Sequence, residues 1–386
     1  MINKIIYVFF VLSFTSCSVL KPDSYMLKSS HGTALEYINS ISSTFLEKHL
    51  SALASDEFEG RETTKKGQKL AAAYLKNFLV EMNIKSAYDS TYFQQFPVDV
   101  SDFNNVKLFI NNEQLSFIDQ FYSFGNPINK SVSKLDLVDV DYGIISTISD
   151  DYEGKDVFGK IALMSQGTKS KNDPLSQGNW RTKLKSAEEK GAEAIIIKTE
   201  DYKDKDLRIK NYLRNPTMKM HNNRNSKPHI PVFIADNNLF NKDSLYQVSF
   251  SSMVTESKTA ENVVSYIPGK TNETIVISAH YDHIGFDRGE VCNGADDDGS
   301  GTVALMNIAK AFQEAYEDGK TPERNIVFLM VSGEEKGLFG SQFYTENPIF
   351  DLEKTMVNLN IDMVGRQDTV QEDNNYIYLI GSDKIS

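Results

Sequence analysis

Unbroken apolar runs separated by helix-period segments dominate the last third of the chain. TIVISA (274–279) and NIVFLMVS (325–332) carry almost no polar alternation, the mark of strands covered on both faces. Between them, TVALMNIAKAF (302–312) sets Val303, Leu305, Met306, Ile308, Ala309 and Phe312 at three- and four-residue spacings, the stripe of an amphipathic helix. ENVVSYIPG (261–269) predicts a strand closed by a Pro-Gly turn, and VNLNIDMVG (357–365) and YIYLIG (376–381) predict two more. Strands alternating with helices predict an α/β fold built on a largely parallel mixed sheet flanked by helices.

Upstream, Ile41, Phe45, Leu46, His49, Leu50 and Leu53 recur at helical spacing. A second helix is predicted over 66–82, with Leu70, Ala73, Tyr74, Phe78 and Leu79 near one face. The charged SDEFEGR (55–61) reads as the turn between them. From 98 to 255 the texture changes to short β-rich runs, VKLFI (106–110), GKIALM (159–164) and IPVFIAD (230–236), broken by Asn, Asp, Lys and Gly. LKSAEEKGAEAI (184–195) predicts a helix feeding directly into IIIK, and the polar stretch 203–227 predicts a loop. The chain therefore divides into an N-terminal segment (41–97), a compact β-rich insert (98–255) and a C-terminal α/β segment (256–386).

Composition narrows this picture at two points. At 386 residues, 40% hydrophobic and 24% charged, the chain is long enough for two domains, and its net charge of −12 argues against a nucleic-acid partner. The N-terminus is a separate matter. Lys4 precedes an apolar run from Ile5 to Phe14, too short to span a bilayer and of the length of a signal-peptide core. The small residues before Cys17 resemble a bacterial lipoprotein processing site, although Phe14 stands where leucine is usual. Residues 1–16 are thus expected to be a signal peptide, with a lipid on Cys17 holding the chain to a membrane of the bacterial cell envelope and 18–40 as a tether. Plain secretion and an uncleaved anchor are the alternatives. With Cys17 lipidated, Cys292 has no partner for an internal disulfide.

The candidate chemistry lies at the carboxyl ends of the predicted strands, where doubly wound sheets place their sites. TIVISA delivers His280, Tyr281 and Asp282; NIVFLMVS delivers Glu334 and Glu335; VNLNI delivers Asp362; and NGADDDGSG (293–301) precedes the helix. An imidazole among so many carboxylates is costly unless a cation relieves the repulsion, and imidazole with carboxylate is a donor set suited to zinc. Asp296 is a candidate ligand within the acidic loop, and Asp298 can instead cap the following helix. Asp282, two residues from His280, can accept that imidazole's second N–H. His283 is either a pocket wall or a ligand. Of the adjacent Glu334 and Glu335, one can bind metal while the other takes a proton from water.

AHYDH, NGADDDGSG, SGEEKGLFGS and NIDMVG, in this order, resemble the zinc aminopeptidases of peptidase family 28. HLSALASDEFEGR looks like that family's N-terminal segment. The stretch from DYEGKDVFGKIALMSQG through KSAEEKGAEAIIIK to IPVFIAD looks like a protease-associated (PA) domain. The resemblance implies the removal of N-terminal residues from peptides with two zinc ions. His280 and Asp362 would bind one zinc and Glu335 the other, with Asp296 bridging. Glu334 would be the general base and Asp282 would orient His280. A cis peptide would follow the bridging residue, at Asp296–Asp297.

One departure bears on this. The family's second zinc takes a late histidine, and this chain has none beyond His283. The C-terminal part of the catalytic domain is therefore expected to be missing, with one metal position well formed, the second reduced to Asp296 and Glu335, and activity low. Two other readings accompany the peptidase: a carboxypeptidase or glutaminyl cyclase-like enzyme on the same scaffold, and a weakly active or non-catalytic binding protein.

Overall fold

The computed structural model describes residues 36–38, 40–88, 91–103, 105–125, 128–147, 149–169, 179–200, 202, 217–221, 229–241, 245–367 and 376–381. The expected signal peptide, Cys17 and most of the expected tether lie outside the described residues. Among the described residues, no helix is long and apolar enough to cross a membrane.

Helix α1 (Ser43–Leu53) starts where the Ser42 hydroxyl accepts the Phe45 N–H, a side-chain cap that satisfies one of the helix's orphan donors. Helix α2 (Lys66–Glu81) follows, burying Ala71, Ala72, Leu75, Phe78 and Leu79 along one stripe. The first sheet is then built from β1 (Phe93–Asp102), β2 (Val254–Ile267), β3 (Thr274–His280), β4 (Asn325–Val331) and β5 (Thr355–Asn360), in the order β5–β3–β4–β2–β1. Thr217–Met220 extends it beyond β1, and Lys85–Ser86 pairs beside β2.

The expectation of a largely parallel sheet is corrected here. Only β5, β3 and β4 run parallel. The β4–β2, β2–β1 and β1–Thr217–Met220 ladders are antiparallel. The cause is a ribbon: β1 and β2 pair without a break from Phe93↔Val263 to Asp102↔Val254, carrying the chain out of the sheet and back. The parallel trio needs long crossovers. The one between β3 and β4 is helix α4 (Gly301–Glu317).

Helices α1, α2 and α4 cover one face, where Leu53, Leu75, Leu79, Leu305 and Met306 meet Ile277, Phe328 and Met330. On the other face, Tyr344 from helix α5 (Phe339–Glu346) packs with Val276, Val327 and Leu329. Each such buried side chain contributes about 1.5–3 kcal/mol relative to exposure, so the ends of β3 and β4 are held firmly from both sides.

The region between β1 and β2 forms a second, eight-stranded sheet. Its centre is Ser131–Asp139, Ile161–Ser165, Ala194–Thr199 and Val232–Asp236, joined by parallel ladders. One core gathers Phe121, Leu163, Phe233 and Phe250, and another gathers Met164, Leu184, Ile195 and Tyr202. Helix α3 (Trp180–Glu189) is shorter than expected: Gly191 takes a φ of +76°, which ends the helix before the strand at Ala194 instead of feeding into it. Thr217–Met220, expected as loop, is a strand; apart from His221, the rest of the predicted polar loop falls outside the described residues. YIYLIG (376–381) forms no strand.

Candidate metal centre

Three strands deliver the site. His280 is the last residue of β3. After β4 the chain turns at Gly333, whose φ is +76°, and presents Glu334 and Glu335. Two residues beyond β5 comes Asp362. The Ala295–Ser300 turn, just before α4, brings the acidic loop over the same edge.

Two triads of ligand-type atoms result, each within 4.8 Å: His280, Asp297 and Asp362, and His283, Asp297 and Glu335. Asp297 is common to both. His280 Nε2 lies 3.2 Å from Asp297 Oδ1 and 3.8 Å from Asp362 Oδ1. His283 Nδ1 lies 2.7 Å from Glu335 Oε1. Glu334 stands outside both triads, with Oε2 3.9 Å from His280 Nε2.

The middle aspartate, not the first, occupies the central position expected of Asp296. Asp296 turns the other way and accepts from Gly365 N and Arg366 Nε. The cis peptide is likewise one residue later than expected, at Asp297–Asp298. Asp298 is buried completely: its Oδ1 accepts from Gly301 N, the first residue of α4, at 2.9 Å and from Met363 N at 3.1 Å, and its Oδ2 from His280 N at 3.2 Å. Where Asp296 and Glu335 were expected at the second position, the structure places His283 and Asp297 beside Glu335.

Asp282 is fully buried but is not the direct partner of the imidazole. His280 Nδ1 is 3.1 Å from the main-chain oxygen of Asp282 and 3.8 Å from its Oδ1. The Asp282 carboxylate instead accepts from Thr63 Oγ1 at 2.8 Å and Glu334 N at 3.3 Å. It therefore ties the Glu334 backbone to the N-terminal segment.

The largest contribution missed in the sequence is Arg61, read there as part of a charged turn. It is 1% exposed. Its Nε donates to Tyr281 O, Nη1 to Leu53 O and Asn293 O, and Nη2 to Gly294 O, all at 2.6–2.7 Å. One guanidinium thus pins the end of α1, the β3 exit and the start of the acidic loop. The Arg61 carbonyl also accepts the His283 N–H. The only hint in the sequence is a lone arginine in a short turn between two predicted helices.

Burial and charge pull the site's titrations apart. Burial lowers the proton affinity of His280, but Asp282, Asp298, Glu334 and Asp362 outweigh it and the imidazole pKa is raised. Burial raises Glu334 above the usual carboxylate range, whereas the His283 imidazole holds Glu335 below it. Asp298 is pushed up to about 7 by burial. Two adjacent glutamates in opposite environments suit different tasks, one exchanging protons and one staying ionised.

The donors fit zinc: each triad offers one imidazole and two carboxylates. Moreover, His283 Nδ1 and Glu335 Oε1 are buried and face only each other, so an ion entering between them would meet two ligand-type atoms already in place. A cavity of about 260 Å³ adjoins His280, Glu334 and Asp362, walled by Val276, Leu329 and Tyr344. Another, of about 510 Å³, adjoins His283, Asp297 and Arg366.

Residues 262–375, which carry both triads and Glu334, match the model of peptidase family M28. Over 105 residues the chain is 40% identical to leucine aminopeptidase 1 of Fusarium vanettenii, covering 26% of this chain and 26% of that protein. Over 214 residues it is 27% identical to aminopeptidase YwaD of Bacillus subtilis, covering 54% of this chain and 40% of that protein. The chain thus spans less than half the length of these curated relatives. A solved aminopeptidase from Aneurinibacillus sp. strain AM-1 is similar over 86% of this chain and 73% of that one, at 20% identity and a TM-score of 0.47.

Proposed function

We propose that this chain carries the catalytic centre of a zinc-dependent aminopeptidase. The observation that carries the reading is the pair of imidazole–carboxylate triads sharing Asp297, with Glu334 beside them. His280, Asp297 and Asp362 would hold one zinc, and His283, Asp297 and Glu335 a second. Zinc held there supplies a Lewis acid that polarises a scissile carbonyl and makes water more acidic.

The chain's own residues do the rest. Glu334, with its raised proton affinity, accepts a proton from the attacking water and returns it to the leaving amine. Asp282 and Thr63 fix the main chain at Glu334 through the Glu334 N–H. The cavity beside His280 has apolar walls suited to the side chain of the residue being removed. The resemblance of 98–255 to a protease-associated domain is supported by its separate eight-stranded sheet and its own cores. The lipoprotein-like start supports a place in the bacterial cell envelope.

The test is hydrolysis of an unblocked aminoacyl-anilide compared with an N-blocked peptide and an N-terminal glutaminyl peptide. Cleavage of the first alone, lost with chelator and restored by zinc, supports the proposal. Cleavage from the carboxyl end, cyclisation of the glutaminyl peptide, or zinc binding without turnover overturns it in favour of another enzyme on this scaffold or a binding protein.

A further inference from the structure

The segment after Asp362 is held in an unusual way. Ile361 N still donates to Ser278 O of β3 at 2.8 Å, and beyond Asp362 three successive N–H groups find acceptors on the acidic loop. Met363 N donates to Asp298 Oδ1 at 3.1 Å, Val364 N to Ser300 Oγ at 3.0 Å, and Gly365 N to Asp296 Oδ1 at 2.9 Å. Arg366 then closes the series, its Nε 2.7 Å from Asp296 Oδ2. Ser300 is set for this by donating its hydroxyl to Asp296 O at 2.8 Å. The approach is tight: a Cβ at Gly365 would lie 2.9 Å from both Asp296 Oδ1 and Ser300 Cβ.

The ADDDGS turn therefore serves as an acceptor strip in place of a neighbouring strand. The carboxylate of Asp297 faces the metal triads, while those of Asp296 and Asp298 face the 363–366 segment. The Asp362 side chain is 42% exposed, so little packing fixes it. Its backbone is held on one side by the Ile361 N–H on Ser278 O and on the other by the segment that follows.

We propose that Asp296 and Arg366 form a latch that holds the Asp362 loop, making Asp296 a positioning residue for the position built by His280, Asp297 and Asp362. The latch sets how tightly that position holds zinc, without Asp296 touching the ion. This inference rests on the metal-centre reading above.

The experiment uses the full chain with R366A, D296A and D296N. One arm measures the zinc dissociation constant by competition with a chromophoric chelator. The other measures amide hydrogen exchange of 361–367 in metal-free protein, with 274–280 as an internal reference. D296A is expected to weaken the affected zinc by roughly tenfold, the low end for groups that support a ligand, and R366A, whose side chain is 72% exposed, by roughly threefold. Exchange of 363–365 is expected to rise by roughly tenfold in D296A, the equivalent of one charge-assisted bond, and by roughly threefold in R366A, whose ion pair is exposed, with the reference unchanged. D296N, which keeps an acceptor for Gly365 N, should fall between.

Arg366 cannot bind a cation, so its variant separates latch from ligand. If D296A loses a zinc outright while R366A behaves as wild type in both arms, Asp296 is a ligand and the latch is wrong. If wild type binds no zinc, the metal-centre reading fails, and the exchange arm still decides: unchanged exchange in R366A overturns the latch, and faster exchange upholds the loop-holding role.

Discussion

His283 Nδ1 and Glu335 Oε1 lie 2.7 Å apart, both buried, and the contact holds the Glu335 carboxylate below its usual range. With Asp297 they make a group of three ligand-type atoms within 4.8 Å of one another, the arrangement of ligands of a common ion. Replacing His283 by Ala is expected to lower zinc content by one ion per chain under conditions that saturate wild type, leaving the His280 position filled. Elemental analysis after desalting reads this directly, and two retained zincs would reduce the pair to a packing contact.

Glu334 lies outside both triads. Glu334→Gln should therefore keep the zinc content of wild type while lowering anilide turnover by about 10²- to 10⁴-fold, the range for a general base. Loss of zinc in this variant would make Glu334 a ligand instead.

Arg61 has four carbonyl partners, on Leu53, Tyr281, Asn293 and Gly294. Arg61→Met would leave the buried carbonyls of Leu53 and Tyr281 and the half-buried one of Asn293 without the guanidinium, while Gly294 O keeps the Gly299 N–H. The expected loss is about 3–5 kcal/mol, comparable to removing one partner of a buried ionic arrangement. Denaturant unfolding of metal-free protein measures it, and a loss under 1 kcal/mol would show that water replaces the guanidinium.

What could be read from sequence, and what could not, follows from this geometry. The apolar runs ending at Ala279 and Ser332 announce strands because only burial on both faces tolerates such runs, and they place His280, Glu334 and Glu335 on one edge. The choice among Asp296, Asp297 and Asp298 was not legible. Their side chains are identical, and only the path of the turn decides which carboxylate faces the imidazoles. The β1–β2 ribbon was missed because β1 alternates buried and exposed positions, so the expected boundary near residue 97 fell inside it. Arg61 acts through main-chain carbonyls, which leave no mark in a sequence.

Lys183 supplies a pH-dependent term away from the metal centre. It is 1% exposed, donates to Tyr142 O and Ser165 O, and burial lowers its pKa from 10.5 to about 8. Between those values the unfolded chain binds more protons than the native one, so this group makes stability rise with pH across that window and flat below about 8. The full span is worth up to about 3 kcal/mol. Lys183→Met should lack the rise, so its stability relative to wild type falls from pH 8 to pH 10.5. The single tryptophan, Trp180, begins the same helix and packs on Phe124, so its fluorescence reports this unit. A constant difference between the two proteins would mean that Lys183 titrates as if in water.

The central claim is that one carboxylate, that of Asp297, serves two metal positions. Anomalous diffraction at the zinc edge from a crystal grown with zinc tests it most directly. Two peaks are expected, one beside His280 and Asp362 and one beside His283 and Glu335, with Asp297 touching both. A peak ligated by Asp296, or no peak between these side chains, would contradict the account.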